Sequence, residues 1–204
     1  MHLSKRKSVI IELGFKPEQL DTLEKYIDLL WASNEELNLI SRQMTMDELI
    51  DNHIIDCLLP LKLFPQNIQK TADLGSGGGL PAIIYALQFP NIEFHLFEKS
   101  IKKQIFLNKC KNLAPNIFIH GEIPQDLSPF QIITARGFKP TDVILDMTRS
   151  YFNNGGKYFL LKARLEKIEE ELKDSSKKFK NIKHKLTKLT SPVLDVERHL
   201  LEIN

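Results

Sequence analysis

No stretch of this chain approaches the roughly 18 consecutive apolar residues that a membrane-spanning helix needs. The basic start, Lys5-Arg6-Lys7, leads into Val9-Ile10-Ile11 and is stopped at once by Glu12, too short an apolar run for a secretory signal. A cytoplasmic protein with no membrane attachment is therefore expected. Cysteine is scarce: Cys57 and Cys110 have no Cys or His partner at metal-ligand spacing, so no metal site is expected and both read as buried free thiols. An excess of one charge is also missing, because 28 Lys and Arg face 26 Asp and Glu for a formal net charge of +2. That balance neither demands nor excludes nucleic acid, so the distribution of charge must decide. Repeats and low-complexity tracts are absent as well.

What the chain has is enough apolar material, 42% of 204 residues, to bury one sizeable core with an appendage. It also has one dense glycine cluster. Asp73-Leu74-Gly75-Ser76-Gly77-Gly78-Gly79-Leu80-Pro81 reads as a short strand, a glycine turn and the start of an apolar helix, in which the backbone approaches a ligand with no Cβ in the way. A dinucleotide fingerprint wants its third glycine three residues after the second, and Leu80 stands there. Asp73, two residues before the first glycine, would repel a pyrophosphate but accept hydrogen bonds from an ammonium group. Asp-x-Gly-x-Gly-x-Gly thus points to S-adenosylmethionine (SAM), with a nicotinamide-dependent oxidoreductase as the alternative.

Around this loop, periodicity predicts two N-terminal helices. Leu20, Leu23, Ile27, Leu30 and Trp31 mark one over Lys16 to Leu37, and Leu49, Ile50, Ile54, Cys57 and Leu58 mark another over Met46 to Leu61. These form a helical extension, residues 1–66, ahead of a second unit, residues 67–204. There, β-rich runs at 71–74, 92–97, 117–120, 132–134 and 157–161 alternate with helical patterns at 80–89, 102–113, 141–152 and 164–177. This order predicts parallel βαβ units in a doubly wound α/β sheet. The runs 183–189 and 197–203 would close it as an antiparallel pair, giving seven strands.

Ligands of such sheets bind beyond the carboxyl ends of the strands. Glu98 ends the second strand and suits the ribose hydroxyls of an adenosine. Glu122 and Ile123 follow the third, near where adenine would lie. Thr134-Ala135-Arg136-Gly137 ends the fourth and faces the transferred group. It lacks the Asn/Asp-Pro-Pro-aromatic run with which exocyclic-amine methyltransferases hold their substrate, and neither cysteine is near enough to serve as a nucleophile. A ring nitrogen such as guanine N7 has a lone pair and no proton to remove. The absence of a general base is what that acceptor predicts, and also what a non-catalytic RNA-binding module predicts. Arg136 and Lys162 are cations at the ligand edge, costly to bury without a charged partner, and a polyanionic substrate would supply one. Arg42, Lys102, Lys103 and Arg198 add to them. His53 and Asp56, three apart on one helix face, read either as a mutually bonded pair or as part of a lid over the cofactor.

These motifs resemble those of the bacterial small-subunit ribosomal RNA guanine-N7 methyltransferases, the RsmG or glucose-inhibited division protein B family. The resemblance is carried by Asn34-Glu35-Glu36-Leu37-Asn38-Leu39, His53-Ile54-Ile55-Asp56, Asp73 to Pro81, Glu98, Lys102-Lys103, Phe106-Leu107, Thr134-Ala135-Arg136, Leu161-Lys162-Ala163 and Glu197-Arg198-His199-Leu200. It implies a monomeric, Rossmann-like SAM-dependent methyltransferase fold with a mostly parallel seven-stranded sheet and a helical N-terminal extension. It implies methylation of N7 of one guanine of 16S ribosomal RNA, as RNA or 30S particle, near the decoding site. It further implies that Gly75, Ser76, Gly77, Gly79, Leu80, Glu98 and Arg136 line the cofactor, with Asp73 supporting the loop, and that His53, Lys162 and Arg198 surround the RNA. The chain departs from the family pattern at Cys57, Ala82 and Lys103, and at Glu122-Ile123-Pro124, where Pro124 offers no amide hydrogen beside the adenine.

Overall fold

In the computed structural model, which describes residues 2–41 and 43–204, the chain before residue 70 is helical. Its α-helices are α1 (Lys7–Glu12), α2 (Leu20–Leu37), α3 (Met46–Leu49) and α4 (Asp56–Leu58). The inward stripe of α2 is Leu20, Leu23, Ile27, Leu30 and Asn34, in alternating steps of three and four as a helix requires, with Tyr26 buried beside Ile27. Trp31, expected on that stripe, is 37% exposed; Leu30, one position earlier, takes the inward place on that turn. A capping box starts α3: the Glu48 N–H donates to the Thr45 hydroxyl while the Glu48 carboxylate accepts from the Thr45 N–H.

The continuous helix expected over 46–61 is interrupted. Residues Ile50–Ile55 form a π-helix between α3 and α4, a wider turn that occurs mostly at functional sites. Apolar spacing cannot announce such a turn, because Leu49, Ile50, Ile54 and Ile55 stay buried through it. The Asn52 carbonyl on this turn accepts a hydrogen bond from Arg136 at 2.9 Å.

The remainder alternates as the pattern predicts: β1 (Lys70–Leu74), α5 (Ala82–Gln88), β2 (Glu93–Phe97), α6 (Ile101–Cys110), β3 (Ile117–His120), β4 (Ile132–Arg136), α7 (Thr141–Met147), α8 (Arg149–Asn153), β5 (Tyr158–Lys162), α9 (Leu165–Lys178), β6 (His184–Leu189) and β7 (Arg198–Ile203). The sheet order is β3-β2-β1-β4-β5-β7-β6. β7 is antiparallel to both its neighbours, whereas all other pairings are parallel. One helix expected over 141–152 is two, α7 and α8. They are broken at Thr148, whose hydroxyl donates to the Ile144 carbonyl at 2.8 Å and lies 2.7 Å from the Tyr158 hydroxyl.

One face of the sheet shares a single hydrophobic cluster with α5, α6 and the N-terminal helices, and the other packs against α7 and α9. Leu23, Ile27 and Leu30 of α2 are wholly buried in the first cluster, each such burial stabilising by about 1.5–3 kcal/mol. Polar bonds fix the extension as well. Tyr85 donates to the Cys57 carbonyl at 3.0 Å, and the Gln88 amide bridges the Lys16 N–H and the Gly14 carbonyl. Tyr26, with no exposed surface, donates its hydroxyl to the Gly78 carbonyl at 2.6 Å and so ties α2 to the glycine loop. Tyr26→Phe leaves that carbonyl unpaired and is expected to cost about 1–2 kcal/mol, lowering the thermal midpoint by about 2–8 °C in a chain of this size. Calorimetry of the variant against the parent protein checks this.

Candidate active site

β1 and β4 are adjacent, yet β2 and β3 lie to one side of them and β5 to the other, so the connection reverses between β1 and β4. That switch point is where open α/β sheets bind ligands, and the glycine loop leaves β1 there. The N–H groups of Gly75 and Ser76 donate to the Phe97 carbonyl at the end of β2, at 2.9 and 3.2 Å. Gly75 has a φ of +69°, and a Cβ on it would fall 2.1 Å from the Phe138 ring. Only glycine admits both that backbone and that ring. Gly79, at φ +85°, is similarly closed by Ile83, 2.2 Å from its Cβ position.

Glu98 ties this loop to the next strand. One carboxylate oxygen accepts from the Gly77 N–H at 2.9 Å and the other from the Ser100 N–H at 2.8 Å. Each oxygen keeps a further lone pair, as an acceptor for vicinal hydroxyls requires. Asp73 is buried beneath the loop. Its Oδ1 accepts from the Thr134 hydroxyl at 2.7 Å, while its Oδ2 is buried and has no hydrogen-bond partner. Burial raises its pKa to about 7, even though the Ser76 and Thr134 hydroxyls pull it down. An orphaned buried carboxylate oxygen beside a glycine loop fits a cationic ligand group and opposes a phosphate. The donor and acceptor set thus fits SAM: an acceptor for an ammonium at Asp73, acceptors for ribose hydroxyls at Glu98, and open backbone between them.

Arg136 is the last residue of β4 and points towards the N-terminal helices. Its Nε and Nη2 lie 2.9 and 2.7 Å from Oδ2 of Asp56, and Nη2 also donates to the Asn52 carbonyl. The other oxygen of Asp56 accepts from Arg198 Nε at the start of β7. One carboxylate, 10% exposed, therefore pairs with two guanidinium groups, from the end of β4 and the start of β7. His53 does not bond Asp56; its Nδ1 lies 3.0 Å from Arg136 Nη2. Burial, then the Arg136 charge, lowers the His53 pKa to about 4, with Asp56 opposing, so the ring is neutral at pH 7.

Lys162 has its own carboxylate. Glu171 of α9 accepts from Lys162 Nζ at 2.6 Å and from the Thr141 N–H and hydroxyl at 2.9 and 2.7 Å. Burial alone would raise the Glu171 pKa, but these donors hold it below the usual carboxylate range. The expectation that Arg136 and Lys162 lack charged partners until a polyanion arrives is thus corrected: Asp56 and Glu171 supply them from within the protein. Both were hard to see, one because it lies 80 residues from Arg136 and the other because it is one acid in the run Glu169-Glu170-Glu171. Between the two ion-paired groups lies a cavity of about 540 Å³, with Phe138, Leu161 and Ile168 on its apolar walls and His53, Arg136, Lys162 and Arg198 on its polar ones.

The structure brings together Asp73, Gly75, Ser76, Gly77, Gly79, Leu80 and Glu98 around the loop, though the Leu80 side chain packs into the core and Ser76 is buried, its hydroxyl donating to the Asp73 carbonyl. Arg136, His53, Lys162 and Arg198 gather around the cavity. Lys102 and Lys103 stand in the first turn of α6, the former exposed. Glu122 is exposed and Ile123 packs against the second cluster. Arg42 lies outside the described residues. Phe138, which touches the loop on one side and the cavity on the other, was not singled out by the sequence; its one signal is that it follows a glycine at the end of a buried strand. Both cysteines are buried and free, as expected.

A sheet of this order with a glycine loop and an acidic second strand end at its switch point defines a Rossmann-like methyltransferase fold. The METTL16 methyltransferase domain shares it, with a TM-score of 0.57 at 12% identity over 86% of this chain and 79% of that one. The family model described as rRNA small subunit methyltransferase G matches residues 19–201. Ribosomal RNA small subunit methyltransferase G 1 of Bdellovibrio bacteriovorus is 60% identical over 99% of this chain and 98% of its own length. The Brachyspira hyodysenteriae methyltransferase G is 32% identical over 90% of each. The chain belongs to the rRNA small subunit methyltransferase G family.

The state of Asp73 predicts a pH dependence of stability. Its folded pKa, about 7, lies above the reference value of 3.8, so its contribution is fully present below pH 3.8 and is lost as pH rises through 7. His53 works in the other direction and in a lower window, losing its contribution as pH falls from 6.5 through about 4. Urea unfolding of the ligand-free protein at pH 6 and pH 8 is therefore expected to show the stability difference between the parent protein and Asp73→Asn falling by about 1.4 kcal/mol in total over that range. Equal slopes in both proteins would mean that Asp73 is not the titrating group.

Proposed function

We propose that the protein transfers the methyl group of SAM to N7 of a guanine in 16S ribosomal RNA, near the decoding site. The observation that carries this reading is the pairing, at one switch point, of a loop fitted to SAM with a cavity lined by Arg136, Lys162 and Arg198, which suits an acceptor nitrogen that needs no general base. When bound, SAM supplies an electrophilic methyl group on a sulfonium. Asp73, Gly75, Ser76, Gly77, Gly79, Leu80 and Glu98 would hold it, with Arg136 at the far end and Glu122 and Ile123 beside the adenine. His53, Lys162, Arg198, Lys102, Lys103 and Arg42 would meet the RNA.

The chemistry asks little more of the side chains than orientation and exclusion of water. An N7 lone pair would take that methyl group directly, with the positive charge of the donor ending on the purine ring, so no side chain would need to move a proton. The Lys and Arg side chains at the cavity would oppose charge on the ring, and Asp56 and Glu171 offset that opposition for Arg136, Arg198 and Lys162. In this reading residues 1–66 are an extension that lends His53 and Asp56 to the site of residues 67–204. The protein works as a monomer in the cytoplasm, where its substrate is made; in keeping with this, no helix among the described residues is long and apolar enough to cross a membrane.

Incubation with methyl-labelled SAM and small-subunit RNA from cells lacking the activity tests the reading, with deproteinised RNA and 30S particles as parallel substrates. One labelled guanine that is cleaved by the chemistry specific for N7-methylguanosine is expected, and it maps the acceptor. SAM binding without methyl incorporation would make the protein a non-catalytic RNA-binding module. A preference for NAD over SAM would make it an oxidoreductase.

A further inference from the structure

We infer that His53 reads the O6 atom of the acceptor guanine through its Nε2–H group and is thereby a specificity-determining residue. This rests on the reading of the site proposed above and adds the contact that tells guanine from adenine. The first step concerns the proton. Arg136 Nη2 stands 3.0 Å from His53 Nδ1, and a guanidinium only donates. Nδ1 must therefore accept, which in the neutral ring places the proton on Nε2. Arg136 is itself fixed by Asp56 and the Asn52 carbonyl, so the tautomer is set by a rigid neighbour.

The second step concerns the donor so created. His53 Nε2 is buried and has no hydrogen-bond partner, one of four such side-chain atoms among the described residues. The others belong to Asp73, Thr187 and Glu202, and of the four residues His53 is the one that lines the 540 Å³ cavity. A buried N–H left unpaired is costly, and proteins keep one chiefly where a ligand brings the acceptor. The ring is carried on the π-helix Ile50–Ile55, a distortion that an ordinary structural histidine would not need.

The third step is the chemistry of the base. Guanine carries N7 and O6 as adjacent acceptors on one edge, whereas adenine carries N7 beside an amino donor. A base that presents N7 to a methyl donor brings its 6-substituent with it. An N–H aimed at that substituent pairs with O6 of guanine and opposes the amino group of adenine. Sites that hydrogen-bond a substrate group reject analogues lacking it far more strongly than apolar pockets do.

The test uses small-subunit RNA whose mapped acceptor guanine is replaced by inosine, which keeps O6 and loses the 2-amino group, or by 2-aminopurine, which does the reverse. The parent protein is expected to methylate the inosine RNA within about 10-fold of the guanine rate and the 2-aminopurine RNA roughly 100-fold more slowly or worse. In His53→Ala the guanine rate should fall while the guanine to 2-aminopurine ratio collapses towards 1. His53→Gln, which offers an amide N–H in place of Nε2–H, should restore part of that ratio, and SAM affinity should be unchanged in both variants. A ratio in His53→Ala equal to that of the parent protein overturns this contact while leaving the methyltransferase reading intact. Absence of methyl transfer by the parent protein to any of the RNAs overturns both.

Discussion

The Asp56 carboxylate is the contact on which the rest of the site depends. It is reached by Arg136 from the end of β4 and by Arg198 from the start of β7, and it projects from the N-terminal helical region that covers one face of the sheet. Two guanidinium groups this little exposed would repel each other and lose much of their hydration without an anion between them. One carboxylate resolves both problems and fixes three segments at once. It also sets the state of His53: Arg136, held by Asp56, occupies Nδ1 of the ring and keeps its proton on the other nitrogen.

The two halves of the site follow opposite electrostatic rules. On the loop side a buried acid lacks a partner, and the energy cost of that orphan, expressed as a pKa of about 7 for Asp73, is what a bound ammonium would relieve. On the cavity side Arg136, Lys162 and Arg198 are satisfied in advance by Asp56 and Glu171. Phe138 stands between the two, against Gly75 on one side and the cavity on the other. Such a division suits a reaction that brings a cationic donor to one side of a wall and an RNA base to the other, and then places the charge on the base.

Much of this could be read in the residues alone. Asp73 to Pro81 is contiguous, so its backbone demands are local and visible, and the βα alternation after residue 70 follows from side-chain period. The carboxyl-end rule then delivered Glu98, Arg136 and Lys162. What stayed hidden depends on distance or on degeneracy. Asp56 meets Arg198 across 142 residues, and no local pattern carries that pairing. Glu171 differs from the acids beside it only in lying on the same face of α9 as Ile168 and Ser175. The π-helix leaves the apolar spacing of 46–58 close enough to an α-helix that periodicity passes over it, although it is what turns His53 and the Asn52 carbonyl towards Arg136.

The most direct test of this account is the unfolding free energy of Asp56→Asn, measured in urea at pH 7 against the parent protein. Removal of one partner from a buried ion pair leaves charge uncompensated and is expected to cost about 3–5 kcal/mol. A loss below about 1 kcal/mol would place the contact among ordinary surface ion pairs and would contradict the claim that Asp56 holds the site together.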